Sequence, residues 1–286
     1  MGYIIDENTK VVVQGITGHQ GSFHAGEMVK FGTKVVAGVS PGKKGTLHNG
    51  IPVFDSVMDA MSTGANATMI SVPAPYVKDA AYEAIDAGIK LIYILTEHVP
   101  FHDTLEIFHQ TKVRGIRLLG PNGPGATRPG VSKIGIMPNQ IFRKGDVAVA
   151  SRSGTLTYEI VNAITQSGLG ETTVVGLGGD PVVGMTFIDA LKLFYEDAAT
   201  KRIVLVGEIG GNNEEKAARY IVEHGDKSKK VVAYITGRSA PKGKRMGHAG
   251  AIIERGVGTA ESKIKAFSQA GVKVADYPDD VPALLR

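Results

Sequence analysis

The chain has 286 residues, which is long enough for two domains that each bury a core of their own. Its 32 basic and 28 acidic residues give a net charge of only +4, spread along the sequence, so we expect no nucleic-acid partner. There is no cysteine, which excludes disulfides, thiolate metal sites and thiol nucleophiles. No apolar run reaches the roughly 18 residues of a membrane span, and no signal-peptide pattern opens the chain. We therefore expect a soluble cytoplasmic protein without a membrane partner.

Short runs of β-branched and aliphatic residues alternate with amphipathic segments in the first part of the chain. Helical periodicity predicts helices at 76–87 and 104–111. The apolar runs between such segments are nearly continuous, which predicts a parallel sheet that helices cover on both faces. The predicted strands are 11–13, 35–39, 67–72, 91–95 and 116–119.

A stretch rich in proline and glycine interrupts this alternation at residues 120–130. Because this composition is unfavourable inside an element, we predict a linker over 123–144, between a first domain at 1–122 and a second at 145–286. The alternation then resumes, without a sequence repeat or a low-complexity tract. The predicted strands of the second domain are 147–150, 173–177, 203–206, 231–235 and 272–275.

The first predicted strand runs into a glycine-rich turn at 15–21, and a helix is predicted from about Ser22. The N–H groups of such a turn and of a helix N-terminus form a site for a pyrophosphate. The spacing G-x-x-G-x-x-G differs from the G-x-G-x-x-G of NAD-binding folds, and the second strand ends without an acidic residue for a ribose diol. Lys43 follows that strand instead, which suits the extra ribose phosphate of coenzyme A or of NADP. A tight turn that binds nothing is the alternative.

A second anion-binding pattern follows the first strand of the second domain. The segment 151–158 leads from a buried strand into a predicted helix, where hydroxyl groups and free N–H donors suit a bound phosphate. An N-cap role alone would also account for a serine at position 153.

A histidine in a small-residue loop gives the strongest indication of chemistry. His248 lies between Gly247 and Gly250, just behind the cations Lys242, Lys244 and Arg245. The glycines let a large anion approach the imidazole and the cations stabilise it, which favours a phosphohistidine. Glu208 follows another predicted strand, and ligands of open α/β sheets bind at the carboxyl ends of strands, so Glu208 would meet and orient the imidazole. A structural histidine, a surface carboxylate and a solvated basic turn are the alternatives.

These segments together resemble the alpha subunits of succinate–CoA ligase (succinyl-CoA synthetase), nearly from end to end. The resemblance implies an α/β protein with an N-terminal Rossmann-like CoA-binding domain followed by a flavodoxin-like, doubly wound ligase domain. It also implies a transient phosphohistidine at His248 with Glu208 as its partner, and Ser153 and Gly154 as phosphate ligands. The segments that match are 14–21, 41–43, 120–122, 151–159, 178–181, 207–211 and 240–252.

The resemblance further implies ligands and a partner. A beta subunit with an ATP-grasp fold would hold Mg²⁺ and ATP or GTP, no metal ligand is implied in this chain, and Tyr158 would lie at the site of CoA and a small dicarboxylic acid. In the thioester-forming direction the nucleotide phosphorylates His248, the phosphoryl group passes to the acid, and the CoA thiol attacks the acyl phosphate. The implied CoA contacts are Thr17, Gly18, His19, Gln20, Lys43, Leu95, Thr96 and Glu97.

Some positions depart from the family pattern. Gly123 stands where the family often has cysteine, and the segments 237–239 and 254–258 differ from the usual small, neutral residues. These departures leave the choice of acid and of partner open. A malate–CoA ligase or a citryl-CoA synthetase small subunit would keep the same motifs. An NADP-dependent oxidoreductase is a second alternative, for which we identify no hydride-handling base. A nonenzymatic CoA-binding regulator is a third, and it would leave His248 and Glu208 without a role.

Overall fold

The computed structural model describes residues 4–241, 243–253 and 258–286. The chain forms two compact units, an N-terminal unit of residues 4–139 with 182–184, and a C-terminal unit of residues 140–181 with 185–286. Among the described residues, no helix is long and apolar enough to cross a membrane. Within the same ranges, no group of three or more His, Cys, Asp or Glu side chains could hold a metal ion.

The N-terminal unit is built on a mainly parallel sheet. Its strands are β1 (Lys10–Gln14), β2 (Lys34–Val39), β3 (Leu47–His48), β4 (Ile51–Phe54), β5 (Ala67–Ile70), β6 (Leu91–Ile94) and β7 (Arg117–Leu119). They follow the order β3-β4-β2-β1-β5-β6-β7, in which β3 pairs antiparallel with β4 and the other pairs are parallel. Without β3, this is the Rossmann order 3-2-1-4-5-6. The sheet confirms the predicted fold class of this half.

Helices cover this sheet. They are α1 (His19–Phe31), α2 (Val57–Ala60), α3 (Val77–Asp86) and α4 (Phe101–Val113). The core of the unit includes Val12 and Ile92 from the strands and Ala81 from α3, all fully buried. Helix α1 begins before the predicted Ser22, because Gly18 takes the N-cap position with extended backbone angles (φ −75°, ψ 157°).

Two short strands lie within residues 123–144, where the sequence predicts a linker too rich in proline and glycine for an element. They are β8 (Gly125–Arg128) and β9 (Ser132–Gly135), and they form an antiparallel pair. The glycines are what permit the pairing, since a Cβ on Gly125 would lie 2.0 Å from the carbonyl oxygen of Ile134. Thr33 anchors β9, because its hydroxyl donates to the carbonyl of Lys133 at 2.7 Å. Glycine marks close backbone approach here, not the absence of a strand.

The C-terminal unit contains a second parallel sheet with its own helices. The strands are β10 (Lys144–Ser151), β11 (Glu171–Gly176), β12 (Arg202–Gly207), β13 (Lys230–Ile235) and β14 (Lys273–Ala275). The helices are α5 (Gly154–Gln166), α6 (Phe187–Glu196), α7 (Asn213–His224), α8 (Ala260–Gln269) and α9 (Val281–Leu285). These strands run in the order β14-β13-β12-β10-β11, with parallel pairing throughout. This is the flavodoxin-like order 2-1-3-4-5 read from its other edge, as expected.

The strand order places a crevice in the C-terminal unit. Strands β10 and β12 are neighbours in the sheet. From β10 the chain continues to β11 on one side of this pair, and from β12 it continues to β13 on the other side. The carboxyl ends of β10 and β12 are therefore the switch point of the topology. Ser151 ends β10 and Gly207 ends β12. The residues that follow them, 152–154 and 208–211, therefore flank the position where open α/β sheets bind ligands.

Candidate active site

A histidine and a carboxylate meet at the carboxyl edge of the C-terminal sheet. Glu208 directly follows β12, and His248 lies in the segment between β13 and α8. Nδ1 of His248 is 2.8 Å from Oε2 of Glu208. The carboxylate side chain is 5% exposed and the imidazole 26%, so the contact is shielded from water while part of the ring stays accessible. The structure thus brings together the two side chains that the sequence analysis pairs.

Backbone hydrogen bonds and one close glycine position the imidazole. Met246 N donates to the carbonyl of Ala251 at 2.9 Å, and Ala251 N donates to the carbonyl of His248 at 3.1 Å. Gly250 N donates to the carbonyl of Gly179, in the loop after β11, at 3.0 Å. A Cβ on Gly179 would lie 2.2 Å from Cγ of His248, so the ring occupies the space of a missing side chain.

The N-terminus of α5 lies at the same edge of the sheet. Ser153 is its N-cap residue, and the serine hydroxyl accepts a hydrogen bond from Leu156 N at 3.4 Å. Gly154 opens the helix, whose first turn carries no acidic residue, so the positive end of the helix dipole is not neutralised by its own side chains. Tyr158 follows on the same helix, and burial raises the pKa of its phenol.

Arg152 is the residue of this site that the sequence analysis does not single out. Its Nη2 lies 3.3 Å from Oε1 of Glu208, an ion-pair distance without hydrogen-bond alignment. Its Nη1 donates to Oε1 of Glu214 at 2.9 Å, and the arginine side chain is only 8% exposed. The sequence contains one indication that Arg152 belongs to the site, which is its position directly after a buried strand. A cation that is buried there needs counter-charges that are buried as well.

The electrostatics of the site favour a positive charge on the imidazole. The hydrogen bond with Glu208 raises the pKa of His248, whereas burial and the charge of Arg152 oppose that rise and Asp180 adds to it. Burial also works against the charge of Arg152, but Glu214 and Glu208 together outweigh it and raise the pKa of the guanidinium. A ring held on Nδ1 by a carboxylate presents Nε2 as its reactive nitrogen.

Part of the histidine loop lies outside the described residues. Lys242 and residues 254–257, which the sequence analysis names, are in that group. Lys244 and Arg245 are described, and both are exposed next to the histidine in the chain. They are therefore accessible to an anion that approaches the loop.

A glycine-rich turn at the carboxyl edge of the N-terminal sheet carries the first group of expected CoA contacts. Gly15 has a positive φ of 84°, and a Cβ on Gly21 would lie 2.2 Å from the carbonyl oxygen of Gly15, so the turn closes tightly onto α1. Thr17 Oγ1 lies 2.8 Å from Ser40 Oγ, which joins the ends of β1 and β2. At the N-terminus of α1, His19 and Gln20 are exposed and the first turn has no acidic residue. None of the side chains that the structure describes caps this helix end.

The remaining expected CoA contacts lie after β2 and after β6. Lys43 is exposed and makes no ion pair with any side chain that the structure describes, whereas the adjacent Lys44 pairs with Asp59 at 3.1 Å. The segment 95–97 continues from β6, and Thr96 Oγ1 donates to the carbonyl of Val72 at 2.7 Å. These segments lie at the carboxyl ends of their strands, where ligands of this fold class bind.

Gly123, the position where the family often has cysteine, contributes its backbone to the N-terminal unit. Its carbonyl accepts a hydrogen bond from the hydroxyl of the buried Tyr93 at 2.7 Å. Any residue at position 123 can supply that acceptor, so the contact is independent of the missing thiol.

Both halves of the sequence match known families. Residues 6–98 match the CoA binding domain, and residues 150–273 match the CoA-ligase family. Among solved structures, ATP citrate lyase from Methanothrix soehngenii in complex with citrate and coenzyme A superposes with a TM-score of 0.90 at 25% identity, over all of this chain and 50% of that chain. An acetyl-coenzyme A synthetase from Ca. Korarchaeum cryptofilum superposes with a TM-score of 0.79 at 19% identity, over all of this chain and 63% of that chain, which supports the fold.

Full-length relatives are more specific. The chain is 56% identical over 286 residues to succinate–CoA ligase (ADP-forming) subunit alpha 2 of Archaeoglobus fulgidus, covering 100% of this chain and 99% of the relative. It is 50% identical over 286 residues to the succinate–CoA ligase (ADP-forming) subunit alpha of Staphylococcus epidermidis, covering 100% of this chain and 94% of the relative. These identities extend through both units and leave no part of the chain unmatched. The chain belongs to the family of succinate–CoA ligase alpha subunits.

Proposed function

We propose that this chain is the alpha subunit of an ADP-forming succinate–CoA ligase, in which His248 carries a phosphoryl group between ATP and succinate. The overall reaction is succinate, CoA and ATP to succinyl-CoA, ADP and phosphate, and it is reversible. The observation that carries the proposal is the 2.8 Å contact between Nδ1 of His248 and the buried carboxylate of Glu208. The names of the full-length relatives support the choice of acid and of nucleotide.

The carboxylate determines which nitrogen of His248 reacts. When Nδ1 carries the ring proton and donates a hydrogen bond to Glu208, the lone pair of Nε2 is free to attack the γ-phosphorus of ATP. The N–P bond forms as the bond from the γ-phosphorus to the departing ADP oxygen breaks. The ring then carries a positive charge while Nδ1 keeps its proton, and the carboxylate of Glu208 stabilises that charge. In the next step an oxygen of succinate takes the phosphoryl group and Nε2 recovers its lone pair.

The N-terminus of α5 is suited to hold the phosphoryl group during these transfers. Ser153 and Gly154 are its first residues, at the switch point that Glu208 also flanks. Helix N-terminal N–H groups bind phosphates because they lack partners within the helix and lie at the positive end of the dipole. We assign these two residues as phosphate ligands and Tyr158 as a residue of the substrate site.

The turn at 15–21 fits a pyrophosphate of coenzyme A. A Cβ at Gly15 or Gly21 would collide with neighbouring backbone. The first turn of α1 has no acidic residue, and no described side chain caps its N-terminus. Thr17 to Gln20 and the segment 95–97 would contact the cofactor, and Lys43 would pair with its ribose phosphate. Bound coenzyme A supplies the thiol that becomes the thioester.

A partner subunit completes the machinery in this proposal. The sequence contains no G-x-x-x-x-G-K-[ST] phosphate loop. We assign the nucleotide and its Mg²⁺ to a beta subunit with an ATP-grasp fold, consistent with the subunit names of the relatives.

We expect γ-labelled ATP to label His248 only in the complex of this chain with its partner. The isolated chain should fold but remain unlabelled, because its sequence has no phosphate loop and no group of three or more acidic or histidine side chains among the described residues could hold Mg²⁺. The measurement is acid-labile, base-stable protein label after a brief incubation with Mg²⁺ and γ-labelled ATP. Succinate with CoA should then discharge the label, and malate or citrate should do so much more slowly.

Citrate is the informative competitor, because of the structural similarity to ATP citrate lyase. Efficient labelling of the isolated chain would overturn the division of labour between subunits. Discharge by citrate and not by succinate would replace the proposed acid while keeping the phosphohistidine.

We expect Lys43→Ala to weaken the binding of CoA by about 10- to 100-fold and to leave dephospho-CoA nearly unaffected, because only CoA has the ribose phosphate. The measurement is titration calorimetry of the full-length chain with both ligands. Lys44→Ala is the matched control, since Lys44 is the neighbouring cation and already pairs with Asp59. Equal losses of affinity for both ligands would refute the assignment of Lys43.

A further inference from the structure

The turn that carries Glu208 is held from behind by three buried charged side chains, Arg152, Glu214 and Lys263, which we call the clamp. Arg152 Nη1 donates to the carbonyl of Gly210 at 3.2 Å and to that of Glu208 at 3.4 Å. Lys263, on α8, donates to the carbonyl of Gly210 at 3.0 Å. Glu214, on α7, accepts from the backbone N–H of Glu208 at 3.2 Å. Members of the clamp thus form hydrogen bonds with both the backbone N–H and the backbone carbonyl of Glu208.

The members of the clamp also bind one another. Glu214 accepts from Arg152 through Oε1 at 2.9 Å, and its Oε2 accepts a short hydrogen bond from Lys263. The side chains of Glu214 and Lys263 are fully buried. Glu215 contributes a more exposed carboxylate, 3.3 Å from the ammonium of Lys263. With Glu208, the buried set has two positive and two negative charges, so the carboxylate that meets His248 is balanced within the protein.

Stability alone is a poor explanation for such a cluster. Removing four charges from water costs several kcal/mol per ion, and well-packed apolar residues of similar volume stabilise a core as well or better. What ion pairs and their hydrogen bonds supply in addition is direction, because each fixes an atom at a defined place. Here the fixed atoms are those of the turn that presents Glu208 to the histidine.

We propose that Arg152, supported by Glu214 and Lys263, is a positioning residue that holds Glu208 with Oε2 toward Nδ1 of His248, so that Nε2 is the free nitrogen of the ring. The inference rests on the proposed role of His248 as phosphoryl acceptor. Arg152 acts through the backbone carbonyls of the turn and through its charge, 3.3 Å from Oε1 of Glu208. Its charge also keeps His248 from holding an extra proton too tightly, since a proton on Nε2 would block the attack.

The groups around His248 determine the direction in which its pKa moves when Arg152 is replaced. Glu208 and Asp180 raise the pKa of His248, and Arg152 lowers it. Arg152 in turn faces Glu208, Glu214 and Glu215. The hydrogen bond with Glu208 is the largest of these effects, so a variant that no longer holds Glu208 in place lowers the pKa of His248. Loss of the Arg152 charge alone, with Glu208 still in place, would raise that pKa instead. The unprotonated ring is the form that accepts the phosphoryl group, so the direction in which the midpoint of labelling moves separates a positioning role from an effect of charge alone.

The experiment measures the rate of ATP-dependent labelling of the complex against pH for wild type, Arg152→Met and Arg152→Lys. We expect Arg152→Met to lower the plateau rate roughly 10- to 100-fold and to move the midpoint to lower pH, because the hydrogen bond from His248 to Glu208 is weakened. Arg152→Lys keeps the charge but loses the multiple hydrogen bonds of the guanidinium. Its plateau should fall roughly tenfold and its midpoint should also lie below that of wild type, because the charge remains while Glu208 is held less firmly.

Arg202→Met is the matched control, because Arg202 lies at the other end of β12, where it pairs with Asp146, and its loss should change neither quantity. NMR of the histidine ring carbons in the full-length chain gives a readout that needs no turnover. In the neutral ring of His248, Arg152→Met should lower the fraction of the tautomer that carries its proton on Nδ1.

An Arg152→Met midpoint at or above that of wild type would overturn the positioning role, because it would show that Glu208 still bonds His248 without Arg152. If that variant does not fold, Arg152→Lys decides, and a wild-type plateau in it overturns the role. Failure of the proposed function is distinguishable, because His248→Asn would then retain its label whatever the Arg152 variants do.

Discussion

We expect His248→Asn to lower the rate of overall turnover by on the order of 10⁴-fold or more and to leave the binding of CoA unchanged. Asparagine can fill part of the space beside Gly179 and can hydrogen-bond Glu208, but its amide cannot carry a transferable phosphoryl group. The ring of His248 is 26% exposed, so its loss opens no large cavity and the fold should persist. Succinyl-CoA formation and protein labelling by γ-labelled ATP in the complex measure the effect.

His224→Asn is the matched control for this variant. His224 lies at the end of α7 in the same unit, with 58% of its side chain exposed. Wild-type turnover in the control and none in His248→Asn would isolate the effect to the loop. Substantial residual ligase activity in His248→Asn would refute the phosphohistidine mechanism.

Glu208→Gln should slow the labelling of His248 by roughly 100-fold and leave subunit association intact. The guanidinium of Arg152, 3.3 Å from Oε1, attracts the amide oxygen and repels the amide NH₂ group, which is thereby turned toward His248. An NH₂ group facing Nδ1 requires Nδ1 to accept, so the ring proton moves to Nε2 and blocks the nucleophile.

The same variant should shift the pH profile in a defined direction. The wild-type midpoint lies above the ordinary histidine value, because the hydrogen bond with Glu208 raises the pKa of His248. Labelling therefore increases as pH rises through that midpoint, where the ring loses its extra proton. Removal of the carboxylate charge lowers the pKa, so the midpoint of Glu208→Gln should move to lower pH, in the same direction as that of Arg152→Met.

Glu223→Gln controls for the loss of a carboxylate from the same unit. Its side chain is 56% exposed on α7, and we expect the labelling rate and the midpoint of this variant to match wild type. Labelling kinetics in Glu208→Gln that are indistinguishable from those of Glu223→Gln would contradict the role of Glu208.

Several features of the protein are readable from the sequence because they depend on local patterns. Continuous apolar runs such as Val11, Val12 and Val13 predict fully buried parallel strands, and all three residues are completely buried. Ser153 is recognisable as the residue before a helix, because an N-cap acts on N–H groups only two or three positions away. Glu208 and His248 could be paired before the structure, since parallel strands bring the loops at their carboxyl ends to one edge.

Features that depend on distant partners required the structure. The hairpin of β8 and β9 escapes sequence reasoning, because its glycines serve a close backbone approach that depends on which strand lies opposite. The contact of His248 Nδ1 with Glu208 and the packing of the ring over Gly179 both join residues that are far apart in the sequence.

The clamp is the clearest example of this dependence. Arg152 meets Glu214 across 62 residues of sequence, and Glu214 meets Lys263 across 49. Local periodicity reports which face of an element is buried. It carries no information on which opposite charges meet there, because a buried charge is balanced by whatever the folded chain brings within a few ångströms of it.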